Sequence, residues 1–289
     1  MIATEAAPAK INLALHVVGR RANGYHELRS LVVFADIADE LDATPAERDS
    51  LTIAGPFATG LSNGEANLVS RAVAAFRQRW PEAIKGGLKL ALRKNLPVAA
   101  GLGGGSADAA AVLRLLAGLA PRSVPLSELT ALAASIGADV PACLISRPLE
   151  LRGVGEIVTP VRSFPACHLV LVNPLQPVVT ADVFRRLEQR DNPPPPALPQ
   201  PLTRPELALW LEETRNDLQP PAIRLLPVIG ELIETMGRTQ GCVLARMTGS
   251  GGTVFGLFGS SAQAHQAAHD LRARSPGFWV AAAPVILPE

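Results

Sequence analysis

Apolar positions along the chain fall into runs whose spacing keeps changing. Residues 10–19, KINLALHVVG, alternate apolar and polar at their start, as a half-buried strand does. RRANGYHEL follows, and its Asn23-Gly24 pair marks a tight turn. LRSLVVFADIADEL reads as a pair of strands and SLTIAG as a further strand. In residues 65–80, EANLVSRAVAAFRQRW, the positions Leu68, Val69, Ala72, Val73 and Phe76 recur at helical spacing. LKLALRKNLP alternates again and predicts a strand that ends before Pro97. A glycine-rich stretch comes next, then a helix to about Ala120. A short helix over 126–137 takes Ser127 as its N-cap, ahead of Glu128.

A second series begins near residue 160. HLVLVNP reads as a buried strand and TADVFRRLEQ as a short helix. Residues 191–205, DNPPPPALPQPLTRP, hold too many prolines for regular structure and read as an extended surface loop. Residues 205–215 and 220–238 are helical, LARMTGSGGTVFGLF is strand–loop–strand, 261–274 is a helix and WVAAAPVIL is a closing strand. No internal repeat is present. Strands and helices do not alternate as βαβ units, so the class is α+β, with domains at 1–160 and 161–289.

Composition narrows the functional classes. Of 289 residues 48% are hydrophobic and only 4% aromatic, so a large core is built mainly from Ala, Leu and Val. A net charge of +1 gives no general attraction to nucleic acid or to a membrane surface. The cysteines Cys143, Cys167 and Cys242 are far apart, show no metal-ligand spacing and suggest buried thiols in a reducing compartment. Glu5 and the lack of a long apolar stretch before Gly19 argue against a signal peptide. The uncharged run from Met247 to His269 is rich in Gly, Ser, Gln and His and is not expected to span a membrane. A cytoplasmic protein is expected. His265 and His269 lie four apart on a helix, but no third ligand is near, so no protein metal site is expected.

Candidate chemistry centres on LPVAAGLGGGSADAAAVLRLLAGLA, residues 96–120. Ser106 is expected to cap the helix that follows. The free N–H groups and positive end of that helix, with Gly101, Gly103, Gly104 and Gly105 before it, form a cradle for phosphate. No lysine precedes Ser106, so this is not a Walker A loop, and its place late in the domain does not fit a dinucleotide fold. A second glycine cluster, TGSGGTVF at 248–255, is either a plain hairpin or a loop closing on the same ligand. Asp139, in SIGADVPACL, is a helix cap, a buried structural acid or a general base. Lys10 is one of only four lysines among 27 basic residues. It is an edge-strand charge or a compact cation beside a carboxylate or phosphate. Tyr25, the single tyrosine, precedes His26, and the pair is either a loop aromatic over the core or a platform for a base.

Together these segments resemble the GHMP small-molecule kinases. LPVAAGLGGGSADAAA is similar to their signature loop. PAKINLALHVVGRRANGYHEL, GADVP and TGSGGTVF are similar to the branch that phosphorylates the 2-hydroxyl of 4-diphosphocytidyl-2-C-methyl-D-erythritol in the non-mevalonate isoprenoid pathway. The resemblance runs from Ala9 to about Phe258. It implies a two-domain α+β fold with ATP and substrate in the cleft between the domains, and it leaves open a return of the last strand to the first domain. It implies Asp139 as the base and Lys10 as its partner on the hydroxyl. Pro97, Val98, Ala99, Ala100, Gly101, Leu102, Gly103, Gly104, Gly105, Ser106 and Ala107 correspond to the ATP phosphate loop, and Asn67 and Lys94 to positions near the adenine. Asn12, Tyr25, His26 and Phe184 correspond to the cytidine pocket, and Gly249, Ser250 and Gly251 to a motif near the substrate. Mg²⁺ is expected with ATP because the triphosphate charge needs neutralising, and Ser106 is a candidate contact for it. No nucleic-acid or membrane partner is implied, and both monomer and homodimer stay open.

Overall fold

The structure, a computed structural model, describes residues 3–288. The chain forms two compact units that interleave along the sequence. The first holds the described residues up to Ala9, Ala38–Val98 and Gly103–Ser146; the second holds Lys10–Ile37, Ala99–Leu102 and the described residues from Arg147 onward. The contiguous division at residue 160 is therefore not the one the chain adopts. Two strands longer than a typical strand run out of one unit and into the other, β1 (Ala3–Arg20) and β2 (His26–Ala46). LRSLVVFADIADEL lies wholly within β2 and is not a strand pair, since no Gly or Pro interrupts it.

In the first unit the end of β2 pairs antiparallel with β4 (Gly87–Arg93), Glu40 opposite Arg93. The far side of β4 takes β3 (Ser50–Ala54) in parallel. β4 turns Leu88, Leu90 and Leu92 inward and Lys89, Ala91 and Arg93 outward, the two-residue period its sequence shows. Helix α1 (Leu68–Arg79) buries Val69, Ala72, Val73 and Phe76. It packs on α2 (Gly104–Leu119), whose buried Ala107, Ala109, Ala110 and Ala111 allow close approach. α3 (Leu126–Ile136) starts after Pro125, so Ser127 lies inside its first turn and is not the cap. α4 (Val140–Ile145), not foreseen from the pattern, is only six residues long. Arg114 of α2 ties the ends together: it donates to Glu5 Oε2 (3.0 Å), Ala6 O (2.6 Å) and Cys143 O (2.8 Å).

In the second unit the start of β2 pairs with β5 (Leu149–Gly153), which pairs with β6 (Ile157–Pro160). A separate antiparallel sheet is formed by β7 (His168–Asn173), β8 (Cys242–Met247), β9 (Val254–Phe258) and β10 (Trp279–Pro284), in the order β10-β7-β9-β8. The closing strand thus stays in the second unit, against β7. Around this sheet lie α5 (Thr180–Arg185), α6 (Arg204–Glu212), α7 (Gln219–Leu225), α8 (Val228–Gly237) and α9 (Ser261–Arg274). Ile229, Leu232 and Met236 of α8 and Ala264, Ala268 and Leu271 of α9 share one core with Val170, Val172, Val254 and Phe258. The single helix expected over 220–238 is broken at Pro227. A residue before proline is pushed out of the helical region, and Leu226 is extended at φ −140°, ψ 87°.

Arg246 of β8 is buried with no carboxylate partner among its hydrogen bonds. Its guanidinium donates to Leu13 O (2.7 Å), Leu211 O (2.9 Å) and Thr214 O (2.8 Å), and to Thr214 Oγ1 (3.2 Å). Burial pulls its pKa down to about 10, still charged at neutral pH. Arg246→Met keeps the volume and strips donors from three carbonyls, each worth ~1–3 kcal/mol when left bare. A loss of about 3 kcal/mol or more in denaturant unfolding is expected; an unchanged midpoint would contradict this account.

Candidate active site

The glycine-rich segment Pro97–Ala107, expected to hold the ATP phosphates, has residues in both units. In the first unit, Gly103 adopts φ 65°, ψ 19°, a left-handed conformation open to glycine at little cost, and α2 begins at Gly104. The first intrahelical bond is Ala107 N to Gly103 O, 2.9 Å. The N–H groups of Gly104, Gly105 and Ser106 therefore have no partner within the helix, and no acidic side chain occupies the first turn. Ser106 is not the N-cap expected from sequence. It is the third helical residue, because two glycines ahead of it already take helical geometry. A helix start of this kind attracts anions.

Lys94 lies directly beneath that turn. A Cβ placed on Gly104 would sit 3.5 Å from its Nζ. The ammonium is buried and is shared by two carboxylates, Asp39 Oδ2 and Asp108 Oδ2, the latter at 2.6 Å. Asp39 Oδ1 accepts from the backbone N–H of Asn95 (2.6 Å) and Leu96 (2.8 Å). Two carboxylates against one ammonium leave an excess negative charge in a buried place. Burial, helped by the charge of Asp39 and only partly countered by Lys94, pushes Asp108 up to about 7. The lysine moves up from its ordinary value: burial lowers it, but the two carboxylates outweigh that. Lys94 thus meets two acids of its own unit, a bond set not foreseen when it was expected near the adenine. Asn67 is the N-cap of α1, accepting from Val69 N (2.9 Å) and donating to Ser62 O (2.8 Å). Asp139 stands at the head of α4, half-buried, with no side-chain capping bond. Pro97, Val98 and Ala107 complete the first unit's share of the loop.

In the second unit Lys10 and Asn12 lie two apart on β1 and so share a face. Lys10 is 5% exposed, and its backbone N–H donates to Leu102 O at 2.9 Å. Asn12 donates through its backbone to Thr248 Oγ1 (2.9 Å) and through its amide to Ser30 Oγ (2.8 Å). The two glycine clusters meet backbone to backbone. A Cβ on Gly101 would lie 2.7 Å from Thr248 O and 2.8 Å from Gly251 O. Ala100 O accepts from Thr253 Oγ1 at 2.7 Å. Gly101 thus lets the loops pack on each other, a reason the sequence reading did not supply. Ala99, at φ 53°, holds a strained turn for a residue with a side chain. Asn216 supports the 248–252 loop, donating to Met247 O (2.8 Å) and Gly249 O (2.9 Å). The sequence reading missed it, as it missed Asp39 and Asp108. Only Asp108 carried even a weak signal, a polar residue between apolar neighbours, which is common.

Tyr25 ends the turn after β1 and is 64% exposed. Its carbonyl accepts from Arg21 N at 2.8 Å. Next to it His26 stacks on Phe184 of α5, ring centroids 4.8 Å apart and planes 26° apart. His26 Nε2 is buried and has no hydrogen-bond partner among the described residues. Burial, then Arg20 and Arg190, lower the pKa of this imidazole, favouring the neutral ring. Ser250 Oγ is 2.7 Å from Thr180 Oγ1 at the start of α5, so the 248–252 loop and the helix carrying Phe184 are joined. His26, Phe184 and Ser250 are thereby brought into one part of the second unit.

Other candidates have plain structural roles. His265 bonds back to Ser261 O of its own helix at 2.8 Å. Burial pushes the Cys167 and Cys242 thiols up to about 12 and 11, which makes poor nucleophiles. Among the described residues no group of three or more His, Cys, Asp or Glu could hold a metal ion, and no helix is long and apolar enough to cross a membrane.

The fold and loops find direct counterparts among known proteins. The family model described as GHMP kinases N terminal domain matches residues 67–147, and that described as GHMP kinases C terminal matches 203–277. A 4-diphosphocytidyl-2-C-methyl-D-erythritol kinase of Cereibacter sphaeroides is 49% identical over 286 residues, 98% of this chain and 99% of that protein. One of Chelativorans sp. is 45% identical over 276 residues, 96% of this chain and 94% of that one. A crystal structure of 4-(cytidine 5'-diphospho)-2C-methyl-D-erythritol kinase superposes with a TM-score of 0.81 at 36% identity, covering 98% of this chain and 99% of the other. The chain belongs to the GHMP kinases, and within them to the family of 4-diphosphocytidyl-2-C-methyl-D-erythritol kinases.

Two outcomes follow from the loop geometry. Gly101→Ala would set a methyl against two carbonyls at φ 75°, so the loops must part; turnover should fall at least tenfold with a lower melting temperature. Asp108 binds its proton more tightly folded than unfolded, so it withdraws stability as pH rises from about 4 to 7. Asp108→Asn removes that term, and the melting temperature of the variant relative to wild type should rise across this window. A difference independent of pH would show that the carboxyl stays charged.

Proposed function

We propose that this chain transfers the γ-phosphoryl group of ATP to the 2-hydroxyl of 4-diphosphocytidyl-2-C-methyl-D-erythritol. The observation that carries the reading is the near-half identity, end to end, to kinases of that name. The chemistry of the residues supports it. The bare N–H groups at the start of α2 suit the phosphates of ATP. Asp139 takes the proton of the acceptor hydroxyl, whose oxygen then attacks the γ-phosphorus while ADP leaves with the bond it held. Lys10 supplies positive charge to that hydroxyl and to the oxygens of the moving phosphoryl group. Tyr25 and the His26–Phe184 stack offer flat faces to a cytosine, and the unpartnered Nε2 of His26 suits its polar edge.

Mg²⁺ is part of this proposal, as a counter-charge for the triphosphate. Ser106, half-buried at the third position of α2, is the side chain that fits as a contact for it. A cytoplasmic setting, where ATP is supplied, belongs to the same reading.

The deciding assay measures ADP release with ATP and Mg²⁺, offering the diphosphocytidyl acceptor, mevalonate and homoserine in parallel. Turnover with the first alone is expected; turnover with another acceptor only would refute the acceptor assignment. Asp139→Asn should lose about 10²–10⁴-fold in kcat, the usual worth of a general base, while both ligands still bind. Normal turnover in that variant would remove the role given to Asp139.

A further inference from the structure

The proline-rich segment is not a loose loop. Prolines 193–196 have no N–H to give, so only their carbonyls can be gripped, and donors must come from elsewhere. Asn192 reaches Val17 O of β1 through its backbone N (3.0 Å) and its side-chain amide (3.1 Å). Pro196 O accepts from Trp210 Nε1 at 3.0 Å. Pro193 O accepts from an Arg215 guanidinium nitrogen (3.0 Å) and lies 3.1 Å from Nδ1 of His16.

His16 is wholly buried on β1, and both its ring nitrogens are engaged. A carbonyl only accepts, so Nδ1 carries the hydrogen that Pro193 O receives. The backbone N–H of Arg215 only donates, so Nε2, 3.2 Å away, is its acceptor. One neutral tautomer satisfies both contacts; a second proton on Nε2 would face an N–H group. The charges around the ring are Arg215 and Asp217 beside β1 and Arg246 from β8. Burial is the largest influence and lowers its pKa, which keeps the ring neutral.

This bond lies at one end of a closed circuit within the second unit. From His16 the chain runs along β1 to the turn bearing Tyr25 and His26. From Pro193 it runs back to α5 and Phe184. The His26–Phe184 stack closes the other end. A shift of the proline strap along β1 would change where Phe184 meets His26. We propose that His16 is a positioning residue for the acceptor base: its neutral imidazole, bridging Pro193 O and the Arg215 N–H, fastens the strap to β1 and so sets the His26–Phe184 face. This rests on the cytidine reading of that face given above.

The test compares His16→Leu, which fills the space with no partners, and His16→Gln, which keeps one donor and one acceptor. His16→Leu should raise KM for the diphosphocytidyl acceptor roughly tenfold, as the loss of buried hydrogen bonds predicts. KM for ATP and kcat should stay within about twofold. His16→Gln should recover most of the loss. Tryptic cleavage after Arg190, at the root of the strap, should be faster in His16→Leu than in wild type. An unchanged acceptor KM, or KM values for acceptor and ATP that rise together, would overturn the proposal. Should His16→Leu fail to fold, His16→Asn, too short to reach both partners, is read in its place. If wild type does not use the acceptor at all, the functional reading fails. The strap is then judged by cleavage alone, and equal rates in wild type and variant would end it.

Discussion

Between Lys10 and Val17 the backbone of β1 is gripped by several segments of the second unit. Lys10 N goes to Leu102 O, Asn12 N to Thr248 Oγ1, and Leu13 O receives Arg246. Leu15 exchanges bonds with Arg215 O and Asp217 N, Val17 N goes to Asp217 Oδ2, and Val17 O receives Asn192. A buried backbone group without a partner is costly, so these segments are not free to drift from β1. Lys10 and Asn12 ride on this strand, and Tyr25 and His26 follow it. The 99–102 segment, the 248–252 loop and the proline strap are all hydrogen-bonded to this one strand.

The glycines have a double duty that chemistry alone would not suggest. The 99–102 segment and the 248–252 loop press backbone against backbone, and side chains at Gly101 or Gly249 would collide with carbonyls. Removing side chains there brings two loops within contact distance. Gly103 acts differently: its left-handed backbone starts α2 without a capping side chain and leaves the first N–H groups bare. One run of glycines therefore joins two loops at one end and leaves an uncapped helix start at the other.

Buried charge in this protein is balanced in three distinct ways. Lys94 is matched by two carboxylates, and one of them, Asp108, gives way toward neutrality. Arg246 is matched by carbonyl dipoles alone. His16 avoids charge by taking one tautomer between an acceptor and a donor. Such groups seldom add net stability over apolar side chains of the same size, but they accept few alternative partners. That selectivity suits places where loops must hold one register.

Much of the architecture could be read from pattern. The periodicity of α1, the alternation of β4 and the run of α9 depend on neighbours in the chain, and the structure follows them closely. The glycine loop and the motifs at Lys10, Tyr25 and Asp139 could be read because their spacing is local too. Ser106 was misplaced as a cap because a serine before an alanine helix looks alike whether or not glycines have already started the turn. β2 was read as two strands because alternation cannot reveal that one strand serves two units. The buried bonds of Asp39, Asp108, His16, Asn216 and Arg246 are not legible in the sequence for a common reason. Each acts on residues distant in sequence, and a polar side chain does not name its partner. The sequence by itself determined the elements and the chemical groups the protein has available. Only the tertiary structure decided which buried groups meet, because desolvation makes the worth of each polar group depend on the atoms packed around it.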